Sequence, residues 1–382
     1  MRILITVIDF PENPENIRGG VHSALKNLLT GFKETDANIK VLSFHKNKPK
    51  HPVNKLSNNI EIHHVYEGFF PFHLLNFLFF GAFILRKHIR DFKPDVIHLQ
   101  EGNAFLFTKI FGVYKTPLVL TIHGMAHEEA RRKKRLKDRI TWHINGWIHD
   151  LLVPNNIIHL SQFSANRIEF TNGFSTIIPN AVTPHFFNVP LKTQFDHQLL
   201  YIGIVDNNKN IRLTLKTINQ LNKQGKRYTL DVLGGFSHPA FESLIKDEVK
   251  ALGLEQQVFF HGWVGQPEIL EKLASSDILV VSSLHESLPM VIAEAKASGK
   301  LVVAASVGGI PEMIMHGRDG YLFKHSDESS LYDILSTLHD DPNLVVEMGK
   351  NARSTALNQI HSTRIAEKTI EFYNQILTSS KT

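Results

Sequence analysis

Apolar residues come in short β-branched runs that alternate with stretches of helical periodicity along most of the chain. Residues 2–8 (RILITVI), 39–44 (IKVLSF), 95–99 (DVIHL), 117–122 (PLVLTI) and 156–160 (NIIHL) read as strands, and helical patterning fills most of what lies between them. Strands that alternate with helices predict parallel sheets with crossover helices. The rhythm restarts after residue 190 in HQLLYIGIV, YTLDVLGG, QVFFHGW, DILVVSS and KLVVAAS. These runs are apolar almost throughout, as strands covered on both faces must be. Between the halves, IIPNAVTPHFFNVPL carries Pro179, Pro184 and Pro190, which favour an extended connector over helix. The expectation is an α/β protein of two Rossmann-like, doubly wound parallel-sheet domains facing across a cleft. The first spans 1–188 and the second 189–362. A terminal helix within 363–382 packs back on the first. Ligands in such sheets bind at the carboxyl ends of the strands.

Composition narrows the classes. A chain of 382 residues is long for one core and comfortable for two. It has no cysteine, which excludes disulfides, thiolate metal sites and a thiol nucleophile. The opening MRILITVIDF is too short in its apolar stretch for a secretory leader and is interrupted by Asp9, so a cytoplasmic protein is expected. Residues 1–190 hold 23 Lys+Arg against 15 Asp+Glu, and the remainder 19 against 22. A basic first half suits an anionic partner, although for any single cation a solvated surface is the simpler explanation. HExxH, a phosphate-loop GKS and a GxGxxG after the first strand are all missing. That argues against a zinc protease, a P-loop enzyme and a dehydrogenase.

One stretch suggests chemistry. In HESLPMVIAEA (285–295), Glu286 and Glu294 stand on either side of a helix start marked by Pro289. A helix over 289–298 leaves the N–H groups of Ser287, Leu288, Met290 and Val291 near its positive end, a ready site for phosphate. Glu294 lies about six residues into that helix, roughly 9 Å along at ~1.5 Å per residue, which is about the span of a diphosphate. Carboxylates repel phosphate but accept from paired hydroxyls. The arrangement therefore suits a nucleotide sugar, and equally a helix with one capping acid and one solvated Glu.

The chain resembles the family-4 retaining glycosyltransferases of GT-B fold. The resemblance rests on an ordered series that covers nearly its whole length: IRGGVHSALKNLL, PDVIHLQ, LTIHG, SQFSANR, IIPNAV, YIGIVDNNKN, LDVLGG, VFFHGWV, ASSDILVVSSLHESLPMVIAEAKASGKLVVAASVGGIPEMI and HGRDGYLF. It implies that Glu294 holds the donor's ribose hydroxyls and Glu286 the donor sugar. Backbone amides at Ser287, Leu288, Met290 and Val291 then face the diphosphate. Gly20 lets backbone approach the phosphate, with Gly19 an ordinary loop glycine. His123 touches donor sugar or acceptor, Trp263 and Val264 frame the base, and Gly203 and Lys209 belong to the diphosphate loop. The implied catalytic set is His123, Lys209 and Glu286, with no metal and no other cofactor.

Two positions depart from the family. Ile204 follows Gly203 where an arginine is usual, so Lys209 stands alone unless Arg212, about a helical turn on, takes the vacant part. His22 replaces the glutamate that often follows the Gly-Gly turn. The implied activity is transfer of a sugar from a nucleoside diphosphate to a hydroxyl of a bacterial surface polysaccharide or lipid-linked glycan. An epimerase of the same fold and a non-catalytic nucleotide-sugar binder are the alternatives. Residues 69–90, aromatic and then basic, and the cationic run 131–139 suggest peripheral contact with the inner face of the plasma membrane. A buried helix and a solvated basic face explain them equally simply. No nucleic-acid partner is expected.

Overall fold

The computed structural model describes residues 1–13, 19–66, 81–100, 116–123, 155–167, 173–324 and 327–379. It divides into two compact units, Met1–Ala181 with Ser362–Thr382, and Val182–His361. The division falls at Ala181/Val182, inside the proline-bearing connector and ahead of 188/189. Val182 and Phe186 already belong to the second core, and the Val182 amide donates to Ile360 O. The connector is not simply extended. Pro184 opens a short helix, α4 (Pro184–Phe187), from its first turn, where proline's missing N–H has no intrahelical partner to lose.

In the first unit, the eight-stranded sheet runs β3-β4-β2-β1-β5-β6-β7-β8, where β1 is Arg2–Ile8, β2 Asn38–His45, β3 Val53–Ser57, β4 Ile60–Tyr66, β5 Val96–Leu99, β6 Leu118–Ile122, β7 Asn156–His159 and β8 Phe174–Ile177. All neighbours are parallel except the β3–β4 hairpin at one edge. Helices α1 (Gly20–Phe32), α2 (Ala82–Phe92) and α3 (Gln162–Ala165) belong to the same unit. The terminal helix α12 (Ser362–Ser379) buries Ile365, Ala366, Phe372, Tyr373 and Ile376 in the core that also takes Leu25, Leu29 and Phe32 of α1. Its approach to α1 is close, since a Cβ at Gly31 would collide with the carbonyl oxygen of Ser362.

The second unit is a six-stranded parallel sheet in the order β11-β10-β9-β12-β13-β14. Its strands are β9 (Gln198–Ile202), β10 (Thr229–Leu233), β11 (Val258–Gly262), β12 (Ile278–Val281), β13 (Leu301–Ala305) and β14 (Tyr321–Phe323). The crossovers use α5 (Ile211–Asn222), α6 (Pro239–Ala251), α7 (Gln266–Ser275), α8 (Met290–Ala297) and α9 (Ile310–Met313), followed by α10 (Glu328–Asp340) and α11 (Pro342–Ile360). Strands β12 and β13 are buried at every position, which is why their sequences lack polar alternation. A buried ion pair ties the end of α8 to the 315–319 turn. Lys296 Nζ lies 2.9 Å from Asp319 Oδ2 and 2.5 Å from Met313 O, and Asp319 Oδ1 accepts the Met315 amide at 2.8 Å. No helix among the described residues is long and apolar enough to cross a membrane.

Candidate functional site

In the second sheet, strand order reverses between β9 and β12, so their carboxyl ends leave a gap in which ligands of doubly wound sheets bind. Glycines keep the neighbouring strand ends bare. Gly203 (φ +151°) and Gly234 (φ +131°) lie so close that a Cβ at Gly234 would strike the Gly203 carbonyl. Gly234 in turn donates to Gly262 O at 2.7 Å. The edge of the Trp263 indole occupies the space where a Cβ at Gly235 would stand, although the ring is 72% exposed. Val264, beside it, is packed against the core.

Two loops are stitched together across this gap. Asp206 accepts the Lys209 amide at 2.8 Å, and Asn210, in the left-handed region at φ +49°, caps α5. Ser282 Oγ donates to the carbonyls of Lys209 and Asn210 at 3.0 and 2.9 Å. The Leu284 amide bonds Asn208 O at 2.7 Å, and Asn208 Nδ2 donates to His285 O at 3.1 Å. The result is that Lys209 Nζ meets Glu286 Oε1 at 2.5 Å, and Ser283 Oγ donates to the same oxygen at 2.8 Å. Gly308 and Gly309 clamp the far side. A Cβ on Gly308 would collide with Glu286 O and one on Gly309 with Ser287 O, and the Gly309 amide donates to Ser287 O at 3.0 Å.

From here the chain enters α8. Pro289 is its N-cap, one position earlier than the helix itself, and no side chain caps the end. Among the described residues, no acceptor bonds the amides of Ser287, Leu288, Met290 or Val291. Orphan donors at a helix N-terminus seek water or an anion. Four residues into the helix, Glu294 is half-buried and its carboxylate has no hydrogen-bond partner among the described residues. Burial pushes its carboxyl up to about 7. Hydroxyl donors from a ligand would supply what the protein leaves out.

Arg212 does not join this group. Its Nε bonds Glu248 Oε2 on α6 at 2.6 Å, so the suggested replacement for the missing arginine is committed elsewhere. Ile204 stands 42% exposed beside the loop, its carbonyl accepting from the Tyr201 hydroxyl at 3.1 Å. Among the described residues, no group of three or more His, Cys, Asp or Glu could hold a metal ion.

The remaining two site candidates lie in the first unit. Gly20 is the first residue of α1, and nothing lies within 4 Å of where its Cβ would be. The backbone demand falls instead on Gly19, the N-cap, at φ +99°, a conformation that disfavours a side chain. His22, to which no role was given, bonds Ile8 O at 2.8 Å and meets the edge of Phe10.

His123 follows β6. Its Nε2 lies 2.8 Å from Gln100 Oε1, and Gln100 Nε2 lies 3.2 Å from His98 Nε2. His98 is further held by Thr121 Oγ1 at 2.7 Å and by the Tyr373 hydroxyl of α12 at 2.6 Å. Burial lowers His98 to about 3 and His123 to about 4, so both rings are neutral at ordinary pH. His98, Gln100, Thr121 and His123 line a small cavity of about 30 Å³, room for a water or two. The sequence singled out His123 but not Gln100, His98, Ser283, Asn208 or the clamping function of Gly308–Gly309. All of them stand in stretches that carry the family resemblance, but no local pattern marked their individual roles. Residues 69–80 of the aromatic stretch and all of 131–139 lie outside the described residues, and the rest of 69–90 forms the N-cap, start and middle of α2.

Comparison with known proteins adds to this picture. The family described as "Glycosyl transferases group 1" matches residues 184–355, and "Glycosyltransferase Family 4" matches 18–186. The chain is similar to N-acetyl-alpha-D-glucosaminyl L-malate synthase of Bacillus anthracis, 36% identical over 35% of this chain and 34% of that protein. It is also similar to sulfoquinovosyl transferase SQD2 of Arabidopsis thaliana, 25% identical over 70% of this chain and 54% of that one. Matches to the curated relatives span about a quarter to a half of their lengths. Among solved structures, sucrose-phosphate synthase from Thermosynechococcus elongatus superposes with a TM-score of 0.80 at 18% identity, covering 99% of both chains. Anabaena Alr3699/HepE in complex with UDP-glucose gives 0.72 at 18% identity, covering 98% of this chain and 100% of that one. At such identities the likeness establishes the fold.

Proposed function

Since the chain belongs to the family-4 glycosyltransferases, with the GT-B fold, we propose that it transfers a sugar from a nucleoside diphosphate to a hydroxyl acceptor with retention of anomeric configuration. The observation that carries this reading is the start of α8, where four unbonded amides lie between two acids, Glu286 and Glu294, one ion-paired and one unpaired. Glu294 takes the ribose hydroxyls, the amides take the diphosphate, and Trp263 offers an aromatic edge to the base. Lys209 leaves Glu286 for the β-phosphate and frees that carboxylate for sugar hydroxyls.

In the reaction, the bond from the anomeric carbon to the phosphate oxygen breaks as the acceptor oxygen bonds that carbon on the same face. The acceptor's proton passes to the departing phosphate. Negative charge grows on the diphosphate, and Lys209 with the amide cluster stabilises it more than it stabilises the ground state. No step calls for a metal. A uridine nucleotide is the favoured donor, by likeness to the Anabaena protein solved with UDP-glucose. The acceptor belongs to a surface polysaccharide or lipid-linked glycan made on the cytoplasmic side of a membrane. The exposed Phe83, Arg86, Lys87 and Arg90 of α2 support contact with an anionic bilayer.

Titration calorimetry of the purified chain with UDP, ADP and GDP, then with their sugars, tests the reading. Binding of one nucleoside diphosphate series that is lost in Glu294→Ala is expected. Product analysis by NMR should show a retained anomer, and turnover should survive EDTA. Absence of binding to every nucleotide would remove the basis for the assignment.

A further inference from the structure

The hydrogen bonds around His123 fix more than its position. Gln100 presents its carbonyl oxygen to His123 Nε2 at 2.8 Å. A carbonyl only accepts, so Nε2 must carry the proton. The orientation of the Gln100 amide is set from its other end, where its NH2 faces His98 Nε2 at 3.2 Å. That nitrogen also faces the Thr121 hydroxyl at 2.7 Å, and His98 Nδ1 lies 2.6 Å from the Tyr373 hydroxyl. In this orientation Gln100 donates to His98 and accepts from His123, while the Thr121 and Tyr373 hydroxyls hold the His98 ring in place. His98, Gln100 and Tyr373 are all buried, so the network has no bulk water with which to exchange partners.

His123 is a neutral imidazole with one proton, already placed on Nε2. Its Nδ1 makes no hydrogen bond among the described residues. Of the residues lining the adjoining cavity only His98 and His123 titrate, and none is a carboxylate or a Lys or Arg that could reset the ring's charge. We propose that Gln100, anchored through His98 to Tyr373 of α12, is a positioning residue that holds His123 in its Nε2-protonated form, so that Nδ1 reads a substrate group only if that group can donate a hydrogen bond. This inference rests on the reading of His123 as a substrate contact. It names the chemistry of that contact. A sugar hydroxyl satisfies the lone pair. The carboxylate of a uronic acid at the same place has no proton to give and is repelled. The substrate class is therefore a neutral sugar at this position.

The tautomer is read directly from 15N-histidine NMR of the full chain, without ligand and without turnover. The wild type should show His123 as the neutral Nε2–H form from pH 5.5 to 8. Gln100→Leu removes the acceptor and should give a mixture of tautomers. Gln100→Glu places a carboxylate against Nε2–H, and His123 should then titrate at least two pH units higher than in the wild type. Nδ1 becomes a donor as the ring charges, so the rise in KM of Gln100→Glu should be largest near pH 6 and shrink at pH 8.5, with kcat little changed. A merely structural Gln100 would shift neither the titration nor this profile. A wild-type His123 protonated on Nδ1, or spectra unchanged in both Gln100 variants, would overturn the proposal. His123→Ala with donor and acceptor KM values intact would instead remove His123 from the substrate contacts, even with the tautomer as stated.

Discussion

Glu294→Gln separates stability from function at the proposed donor site. The substitution keeps shape and removes the titrating proton. In the folded protein burial holds the Glu294 carboxyl at about 7, against 4.5 for the unburied group. Between those values the folded state keeps a proton that the unfolded state has released. Stability therefore falls as pH rises through this window, and the full loss is present above about pH 7. A difference of about 2.5 units at 1.36 kcal/mol each is about 3 kcal/mol. Glutamine has no such loss. The variant should match the wild type near pH 5 and exceed it by up to about 3 kcal/mol at pH 8, which for a unit of this size raises Tm by roughly 6–12 °C. Nucleotide binding should move the opposite way, because glutamine accepts ribose hydroxyls more weakly than a carboxylate. The wild type should also release a proton on binding near pH 7, seen as a buffer-dependent heat in calorimetry. Scanning calorimetry from pH 5 to 8.5, with and without nucleotide, measures both effects. Wild-type and Glu294→Gln melting curves that stay parallel across that range would refute the argument, since Glu294 would then titrate as an ordinary carboxyl.

Four other outcomes follow from the geometry. Lys209→Ala should lower kcat by about 10²–10³, the scale of losing one preorganised partner of a developing anion, and a loss under fivefold in a steady-state assay would exclude Lys209 from charge stabilisation. Arg212→Ala should change stability by less than about 1 kcal/mol and turnover by no more than about twofold, because Arg212 is exposed where it pairs with Glu248. Lys296→Ala strands Asp319 in the core and should cost about 3–5 kcal/mol in urea unfolding, while Lys296→Met with Asp319→Leu should recover most of that loss. Gly308→Ala, at φ +57° and against Glu286 O, should cost at least about 1–3 kcal/mol in the same measurement and weaken nucleotide binding, because Glu286 must shift.

The central strands were legible because burial on both faces left runs such as ILVV and LVVAA without polar interruption. The edges were not. β3 reads VNKLS and β8 alternates half-buried with exposed, so neither carries an apolar run. β14 has only three residues. Prolines misled in the connector, since Pro184 starts a helix where it was expected to prevent one. At the site, Glu286, Glu294 and Lys209 were visible through local motifs. Their supports were not, because Ser283 and Asn208 act through single hydrogen bonds that leave no pattern. Tyr373 and His98 lie 275 positions apart, a pairing that only the packing of α12 creates. Arg212 shows the converse error: helical spacing placed it near Lys209, but Glu248 on another helix decided its direction.

The Lys209–Glu286 contact leaves neither charge stranded. On the proposed roles, an incoming molecule must offer both ends something in exchange. Inorganic phosphate would draw away the ammonium and abandon the carboxylate, and a free monosaccharide would do the reverse. Only an intact activated sugar replaces both halves at once, so on these roles the resting contact favours whole donor over phosphate or sugar alone.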